Sequence, residues 1–317
     1  MKNNKQKIKY TNHRIKETIL GNALIGNVKM SKSKTAWVGS MYIIAIVGGI
    51  LTYSPSNFLV FSITTSLILC LGHSIGMHRR LIHQSFECPK WLEYFLVHLG
   101  VIVGIAGPEG MIRTHDMRDW AQRHNQCHDY FAHKQPFLID GYWQIFCDVK
   151  LDNPPEFQIE NEFLENKFYS WMERTWMWQQ IPLAIVLFIL GGVSWVIWGI
   201  CVRVSVSVTG HWLIGYFAHN HGERNWHVEN ASVQGYNIKF TALLTMGESW
   251  HNNHHAFPGS ALLGIEQGQM DPGWWVIKLL EKMGFIWNIK LPEDLPIRPE
   301  LLKMNQLIKQ QFSETAL

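Results

Sequence analysis

The sequence predicts an all-α, polytopic membrane protein with four transmembrane helices in two hairpins and a cytoplasmic helical cap. Hydrophobic residues make up 47% of the 317 residues and charged residues only 17%, which fits a multi-span membrane protein better than soluble domains. The apolar residues are concentrated in long runs without charge, and many of the 16 histidines lie just beyond the ends of these runs. These patterns, together with a basic amino-terminal segment, lead to the predicted architecture.

The first pair of spans is predicted from a charge-free run between Lys34 and His73. This run is too long for one transmembrane helix of about 20 residues. The sequence SPSN at 54–57 interrupts it with residues that favour a turn. We therefore expect two spans, at about 36–53 and 58–77, joined as a hairpin.

The second pair of spans is predicted from a charge-free run between Arg174 and Arg203 and from the apolar residues that follow it. The combined length again suits two helices, at about 179–199 and 203–219. We expect the turn between them near Cys201 to Arg203. Two hairpins return the chain to the side of the membrane on which it began.

Two further apolar segments are predicted to lie on the membrane and not to cross it. The segment 92–108 is shorter than a span, and we expect an interfacial or re-entrant helix there. The segment DPGWWVIKLLEKMG at 271–284 has apolar residues at helical spacing opposite Lys and Glu, which is typical of an amphipathic interfacial helix. Its apolar face consists of Val276, Leu279, Leu280 and Met283.

Charge predicts the orientation of the chain. Nine Lys and Arg residues precede Thr35, and cytoplasmic segments of membrane proteins are enriched in these residues. We expect a basic leader at 1–34, a functional domain at 35–290 and a tail at 291–317, with leader and tail accessory and cytoplasmic. No secretory signal is expected, because no small-residue cleavage site follows the first apolar run. The net charge of +3 comes mostly from the leader and favours an anionic membrane surface over nucleic acid as a partner.

The histidines have the spacing of metal ligands. Residues four apart share one face of a helix, so His124 with His128 and His251 with His255 can each point at one ion. Imidazole suits zinc, copper, iron and nickel, and about eight such ligands in one cytoplasmic layer suit two metal ions. The five cysteines have no paired spacing that would indicate a disulfide framework or a zinc site. The candidate ligands are His78, His83, His124, His128, His219, His251, His254 and His255.

These sets resemble the three histidine boxes of the membrane-bound fatty acid desaturases, most closely the delta-9 acyl-CoA or acyl-lipid type. The matching segments are GMHRRLIH, DWAQRHNQCHD and GESWHNNHHAFP, and GHWLIGYFAH resembles the helix that contributes a further histidine. The resemblance extends from about His73 to about Ile289. It implies one iron held by His78, His83, His124, His128 and His254, and a second iron held by His219, His251 and His255.

The chain departs from the family pattern at two positions. The second box of the family usually reads HxxHH, and Cys127 occupies its fourth position here. Gly215 stands where the family often has an Asn that supports a bound water. Cys127 is therefore either a thiolate ligand or a buried neutral residue, or its role passes to another imidazole such as His115 or His133. Four acidic residues are candidates to orient ligand imidazoles or to have solvated or capping roles, namely Asp116, Asp119, Asp129 and Glu248.

The resemblance implies that two electrons and O2 are used at a di-iron centre to form a cis double bond in a long acyl chain. The substrate would be an acyl-CoA, an acyl-ACP or an acyl-lipid, and the electron donor a separate ferredoxin or cytochrome b5-like protein. Trp120, Trp212 and Trp250 are candidate walls of an acyl tunnel, with a packed core or an interfacial aromatic belt as the alternative. A basic set suits an anionic head group or acidic lipids and consists of Arg79, Arg80, Arg113, Arg118 and Arg123.

Two other functions are consistent with the histidine pattern. A lipid hydroxylase of the same superfamily would return a hydroxyl group to the substrate carbon. A histidine-rich membrane metal transporter would place its histidines within opposed spans and open to both faces of the membrane. The predicted single layer of histidines outside the spans favours the desaturase.

Overall fold

The computed structural model describes residues 10–307 and is mainly helical. Three helical segments in this range are long and apolar enough to cross a membrane, as expected for a membrane protein: Lys32–Leu51, Pro55–Ile82 and Gln180–Asn220. The α-helices are α1 Lys32–Leu51, α2 Pro55–Leu67, α3 Lys90–Val101, α4 Pro108–Gln122, α5 Asp129–Ala132, α6 Phe137–Phe146, α7 Asn161–Leu164, α8 Lys167–Thr175, α9 Gln180–Val196, α10 Arg203–Asn220, α11 His251–Ala256 and α12 Pro272–Lys282. Two π-helical segments continue α2 and α9, at Ile68–Ile82 and Ile197–Val202.

Helices α1 and α2 form a hairpin at the predicted break. Ser54 caps α2 by accepting a hydrogen bond from the backbone N–H of Asn57, at 3.1 Å. Pro55 occupies the first turn, where its fixed φ angle suits a helix start. Many large apolar side chains of this hairpin are exposed, including Ile50 and Leu59, as expected for helices that face lipid.

The segment Gln180–Asn220 folds back on itself at Gly192. This glycine has φ 69° and ψ −163°, which breaks the helix and is a conformation that other residues rarely adopt. The side chain of Leu187 then lies against Gly199, within 2.5 Å of where a Cβ atom would be. A straight helix would separate these two residues by about 18 Å. The predicted turn near Cys201 to Arg203 is therefore wrong.

Arg203 does not mark a turn because its charge is satisfied inside the bundle. The side chain is fully buried and lies within a continuous helix. Its guanidinium donates to the carbonyl oxygen of Ile102 at 2.6 Å and to Gln180 Oε1 at 2.5 Å. Buried charges persist where hydrogen bonds compensate for lost hydration, so a charge alone did not identify the membrane boundary.

The first π-helical segment, Ile68–Ile82, is a centre of helix packing. Helices α3, α4 and α12 all pack against it, and Ile75 and Met77 are completely buried there. Helix α3 covers most of the predicted interfacial segment 92–108 and has 12 residues. Its length is about 18 Å, well below the roughly 30 Å of a hydrocarbon core.

Helix α12 matches the predicted amphipathic helix. It begins after Asp271, whose side chain accepts a hydrogen bond from the backbone N–H of Trp274 at 3.0 Å. Ile277 is fully buried, and Val276 and Leu280 pack in the same apolar cluster. Leu279 and Met283, two of the predicted apolar face, are more than half exposed and are the residues available to a membrane surface.

Short strands accompany the helices, and the mainly helical structure agrees with the all-α prediction. The described residues contain three two-stranded antiparallel sheets, which pair β1 with β4, β2 with β3 and β5 with β6. In the longest pair, Val28 lies opposite Val149. The strands are β1 Ile15–Lys16, β2 Gly26–Met30, β3 Cys147–Leu151, β4 Glu156–Phe157, β5 Trp226–Val228 and β6 Leu301–Lys303.

The described parts of the leader and the tail pack against the rest of the chain, and β6, which lies beyond Pro299, pairs with β5. That the leader and this part of the tail are accessory to the function stays a prediction. Arg14 is buried and pairs with Glu160 at 2.9 Å while donating to the carbonyl oxygen of Ile82 at 2.8 Å. Arg298 in the tail donates to the carbonyl oxygens of His255 and Ala256 at 2.8 and 2.7 Å. Residues 1–9 and 308–317 of the predicted leader and tail lie outside the described residues.

Candidate metal centre

Four imidazoles from three parts of the chain form one cluster, which we call the first imidazole group. It consists of His78, His83, His115 and His254, whose candidate ligand atoms all lie within 4.8 Å of one another. The Nε2 atoms of His83 and His115 are 3.3 Å apart. The helix elements that supply these residues are the first π-helical segment, α4 and α11.

The π-helical backbone explains how His78 and His83 converge although they are five residues apart. The backbone N–H of His83 donates to the carbonyl oxygen of His78 at 3.1 Å, which is the i to i+5 bond of a π-helix. One turn therefore places the two rings beside each other, with centroids 4.8 Å apart. In an α-helix, a spacing of five would point the two imidazoles in different directions.

Carboxylates stand behind two imidazoles of the first group. Glu248 Oε2 lies 2.6 Å from His78 Nδ1, and Asp116 Oδ1 lies 3.1 Å from His115 Nδ1. Burial opposes ionisation of Glu248, but the nearby charges of His78 and Arg79 and the contact with His78 lower its pKa to about 2. Such carboxylates fix the imidazole tautomer and leave Nε2 free for a metal ion.

A second cluster, the second imidazole group, lies next to the first. It consists of His219, His251 and His255. His251 Nε2 is 3.0 Å from Nε2 of His219 and also 3.0 Å from Nε2 of His255. His219 Nδ1 donates to the carbonyl oxygen of Gly215 at 2.7 Å, which assigns its Nε2 as the lone-pair nitrogen.

Both groups have the chemistry of metal sites. Burial, reinforced by neighbouring cationic groups, holds the pKa of His83, His254 and His255 well below the usual value, so these imidazoles are neutral at neutral pH. Neutral imidazole nitrogens that face each other at about 3 Å repel unless a proton or a cation lies between them. The donor sets therefore fit divalent metals such as iron.

Helix α11 is held in place by an asparagine between its histidines. The Asn252 side-chain oxygen accepts hydrogen bonds from the backbone N–H groups of Asn225 and Trp226, at 2.8 and 2.9 Å. Its amide nitrogen donates to the carbonyl oxygens of Trp226 and Gly235, both at 2.9 Å. A six-residue helix is marginal by itself, so these bonds decide where its imidazoles point.

The structure does not bring His124, Cys127 and His128 into either group. His124 Nδ1 contacts the carbonyl oxygen of Trp120 at 2.9 Å, and His128 Nδ1 accepts from a backbone N–H of its own turn at 3.1 Å. Cys127 is buried in an apolar cluster, where its sulfur accepts from Ser232, and burial raises the pKa of its thiol. Iron ligation by His124 and His128 does not fit these positions.

His115 supplies the imidazole that the second box was expected to give. With the HxxHH pattern aligned at His124, His115 is only an alternative to Cys127. Aligned at His115 instead, the same pattern places Arg118 and Asp119 at its last two positions. The adjacent acid Asp116 was the sequence signal that distinguishes His115 from a surface histidine.

Three other candidate residues, Asp119, Asp129 and His133, have partners outside the two imidazole groups. Asp119 pairs with Arg123 at 2.9 Å, and Asp129 accepts from Gln135 at 2.8 Å, so neither contacts a group imidazole. His133 lies beside the second group without joining it. Its Nδ1 is bonded to Asp140 at 2.9 Å, and its Nε2 accepts a hydrogen bond from Arg118 at 2.7 Å.

The three predicted tunnel tryptophans occupy packed positions. Trp120 is buried in the same apolar cluster as Cys127. The indole N–H of Trp212 donates to Asp140 Oδ2 at 2.9 Å, and that of Trp250 donates to the carbonyl oxygen of Met270 at 2.7 Å. These contacts agree with the packed-core alternative, and the tunnel role remains a prediction.

The predicted basic set is mostly engaged within the protein. Arg79 is buried and pairs with Asp271 at 2.7 Å, which does not fit contact with a head group. Arg118 donates to His133 Nε2 at 2.7 Å. Arg80 differs, because it pairs with Glu93 at the edge of a surface cleft of about 340 Å3. The two others form ion pairs on α4, Arg113 with Glu109 and Arg123 with Asp119.

The chain is similar to several desaturases over most of its length. It is 32% identical over 287 residues to an acyl-CoA 5-desaturase of Anemone leveillei, covering 84% of this chain and 86% of the relative. It is 31% identical over 270 residues to the sn-1 stearoyl-lipid 9-desaturase of Anabaena variabilis, covering 83% of this chain and 97% of the relative.

A delta-9 acyl-lipid desaturase of Arabidopsis thaliana is 29% identical over 257 residues, which covers 76% of this chain. No protein-family model matches the chain. Because relatives above 30% identity are covered almost end to end, and because the structure assembles two histidine groups, the chain belongs to the fatty acid desaturase family, a family of oxidoreductases of lipid metabolism.

Proposed function

We propose that the protein introduces a cis double bond, delta-9-like in position, into a long-chain acyl group with O2 and two electrons at a di-iron centre. The observation that carries the proposal is the pair of adjacent imidazole groups that share helix α11. A chain of this family with seven buried or partly buried histidines around two neighbouring points has the ligands that such a centre requires.

Bound iron together with O2 would supply the oxidising power that no amino-acid side chain has, which is needed to remove hydrogen from an unactivated methylene carbon. The protein's own residues would hold the metal ions and orient the imidazoles. Glu248 and Asp116 keep the imidazoles of His78 and His115 in the tautomer that leaves Nε2 free. The apolar helices around the groups exclude water and accept an acyl chain.

The substrate would be an acyl-CoA, an acyl-ACP or an acyl-lipid, presented from the membrane surface. Of the predicted head-group residues, Arg80 is the one that we retain, because it borders a surface cleft. The lining of this cleft contains four basic residues and four glutamates. Electrons would come from a separate ferredoxin or cytochrome b5-like donor. A stearoyl-lipid 9-desaturase among the relatives supports the delta-9 position.

We further propose four membrane passes, with both termini and the metal centre on the cytoplasmic side. The segment Gln180–Asn220 has 41 residues, about twice the length of one span, and would supply the third and fourth passes. The basic residues before α1 support a cytoplasmic amino terminus.

Expression in a host with a compatible electron donor tests the function. Gas chromatography with mass spectrometry of total fatty acids should reveal new cis-monoenes with the wild type and none with His251→Ala. His221→Ala is the matched control, because this exposed histidine lies outside both groups and should preserve the product. Hydroxy acids would establish the hydroxylase instead. Unchanged fatty acids together with cellular metal uptake would establish the transporter.

A further inference from the structure

The two imidazole groups have different surroundings. Two carboxylates stand behind the first group, from Glu248 and Asp116. The second group is approached by a hydrogen-bond donor, since Gln122 Nε2 lies 3.1 Å from His219 Nε2. The same amide donates to the carbonyl oxygen of Phe131 at 2.7 Å, which fixes its nitrogen and not its oxygen toward the histidine.

A guanidinium lies close to the second group, with the His133 ring between it and His219. Arg118 is one helical turn after His115 on α4, so α4 gives an imidazole to the first group and a cation to the second. Arg118 Nη1 is 2.7 Å from His133 Nε2, and the His133 ring stacks on His219 with centroids 5.2 Å apart and planes 8° apart. A Cβ atom on Gly215 would lie 3.2 Å from the His133 ring, so the missing side chain leaves the space that His133 occupies.

This arrangement uses the lone pair of His133, the imidazole that stacks on the second group. Asp140 binds His133 Nδ1 at 2.9 Å, which makes Nε2 the lone-pair nitrogen. Arg118 donates to that nitrogen, and its other arm donates to Gln144 Oε1 at 2.7 Å. Arginine stays protonated in proteins, so its charge opposes a metal cation nearby at every physiological pH.

We infer that Arg118 weakens metal binding by the second imidazole group, so that the protein binds one metal ion tightly in the first group and a second ion weakly. The inference rests on the proposed metal binding. The first group has four imidazoles and two carboxylates, and the arginines near it, Arg14 and Arg79, face those carboxylates. The second group has three imidazoles, and its nearby arginine, Arg118, faces an imidazole while Gln122 donates toward another.

Metal titration of the purified full-length protein in detergent tests this inference without using activity. Metal-free protein would receive Fe2+ without oxygen, or Co2+ as a spectroscopic probe, and then be dialysed against increasing chelator before metal analysis. The wild type should lose one ion at a chelator activity at least about tenfold lower than the other. His219→Ala should remove only the weakly held ion, and His115→Ala the tightly held one.

The variant that addresses the cation is Arg118→Gln. It should raise the affinity for the second ion about tenfold or more, because it removes the charge and frees His133 Nε2. Arg113→Gln is the matched control, since Arg113 lies on the same helix, is exposed and pairs with Glu109. It should leave both affinities unchanged.

Three results would decide against the inference. Two ions of equal affinity in the wild type overturn it and leave the proposed function intact. An unchanged second affinity in Arg118→Gln, with gel filtration and melting temperature like the wild type, overturns the role of Arg118. If this variant does not fold, the two-step Co2+ titration of the wild type still tests whether the two ions bind with different affinities. A folded wild type that binds no metal contradicts the proposed function itself.

Discussion

Two short segments of the chain have similar sequences but different positions relative to the imidazole groups. Residues 251–255 read HNNHH, and residues 124–128 read HNQCH. The first is a buried helix that gives all of its histidines to the imidazole groups. The second is a bend whose central residues, Asn125 and Gln126, are exposed, and it gives none.

The difference lies in the amides between the histidines. Asn252 makes four hydrogen bonds to backbone groups of the surrounding loops, and Asn253 donates to Leu263 and Gln269. Asn125 and Gln126 face solvent, and the rings of His124 and His128 are bonded instead to backbone groups of Trp120 and Tyr130. Spacing allows imidazoles to converge. The buried contacts of the residues between the histidines determine whether they do.

The largest expected effect is on product yield, and it distinguishes His115 from His124 as the first histidine of the second box. His115→Ala should reduce desaturated product below about 1% of wild type, because it removes an imidazole of the first group. His124→Ala should stay within about threefold, because this ring lies outside both groups. Product is measured by gas chromatography at equal protein level. The reverse ranking would restore the alignment at His124 and contradict the site described here.

The next effect tests the anchoring of α11. Asn252→Ala should lower the free energy of unfolding by about 2–4 kcal/mol, since it leaves several buried backbone groups without partners. Its counterpart Asn125→Ala should change that free energy by no more than about 0.5 kcal/mol. Denaturant titration in detergent micelles measures both. Equal small changes would mean that the amides do not hold the helix.

A smaller effect concerns the carboxylate behind His78. Glu248→Gln keeps the shape but removes the charge, and should weaken binding of the tightly held metal about 10- to 100-fold. Asp129→Asn, an acid beside the 124–128 segment that contacts Gln135, should leave metal affinity unchanged. Chelator competition measures both. Unaltered affinity in Glu248→Gln would show that the contact with His78 is not used to hold metal.

The smallest effect is expected at Cys127. Cys127→Ser should change stability by no more than about 1 kcal/mol and leave the metal content unchanged, because the thiol is buried among apolar side chains and bonded to Ser232. Metal analysis and a melting curve check this. Loss of one ion would make the thiol a ligand and contradict its position in the structure.

Local sequence patterns predicted the first hairpin correctly, but they did not predict the second turn or the strands. The hairpin at SPSN was predicted correctly because a serine cap and a proline act within a few residues. The second turn was misplaced because Arg203, a charge that looks like a membrane boundary, is satisfied by Ile102 and Gln180 from other parts of the chain. The strands of the leader were missed because their partners are more than a hundred residues away.

The sequence by itself determined that this is a membrane-embedded desaturase-family chain with histidines for metal, because long apolar runs and the third box are local patterns. Only the tertiary structure decided which imidazoles meet. His115 joins the first group and His128 does not, because helix packing, a π-helical turn and the buried contacts of Asn252 set ring directions. It also decided that the two groups differ, since Arg118 reaches the second group only through contacts with residues distant in sequence.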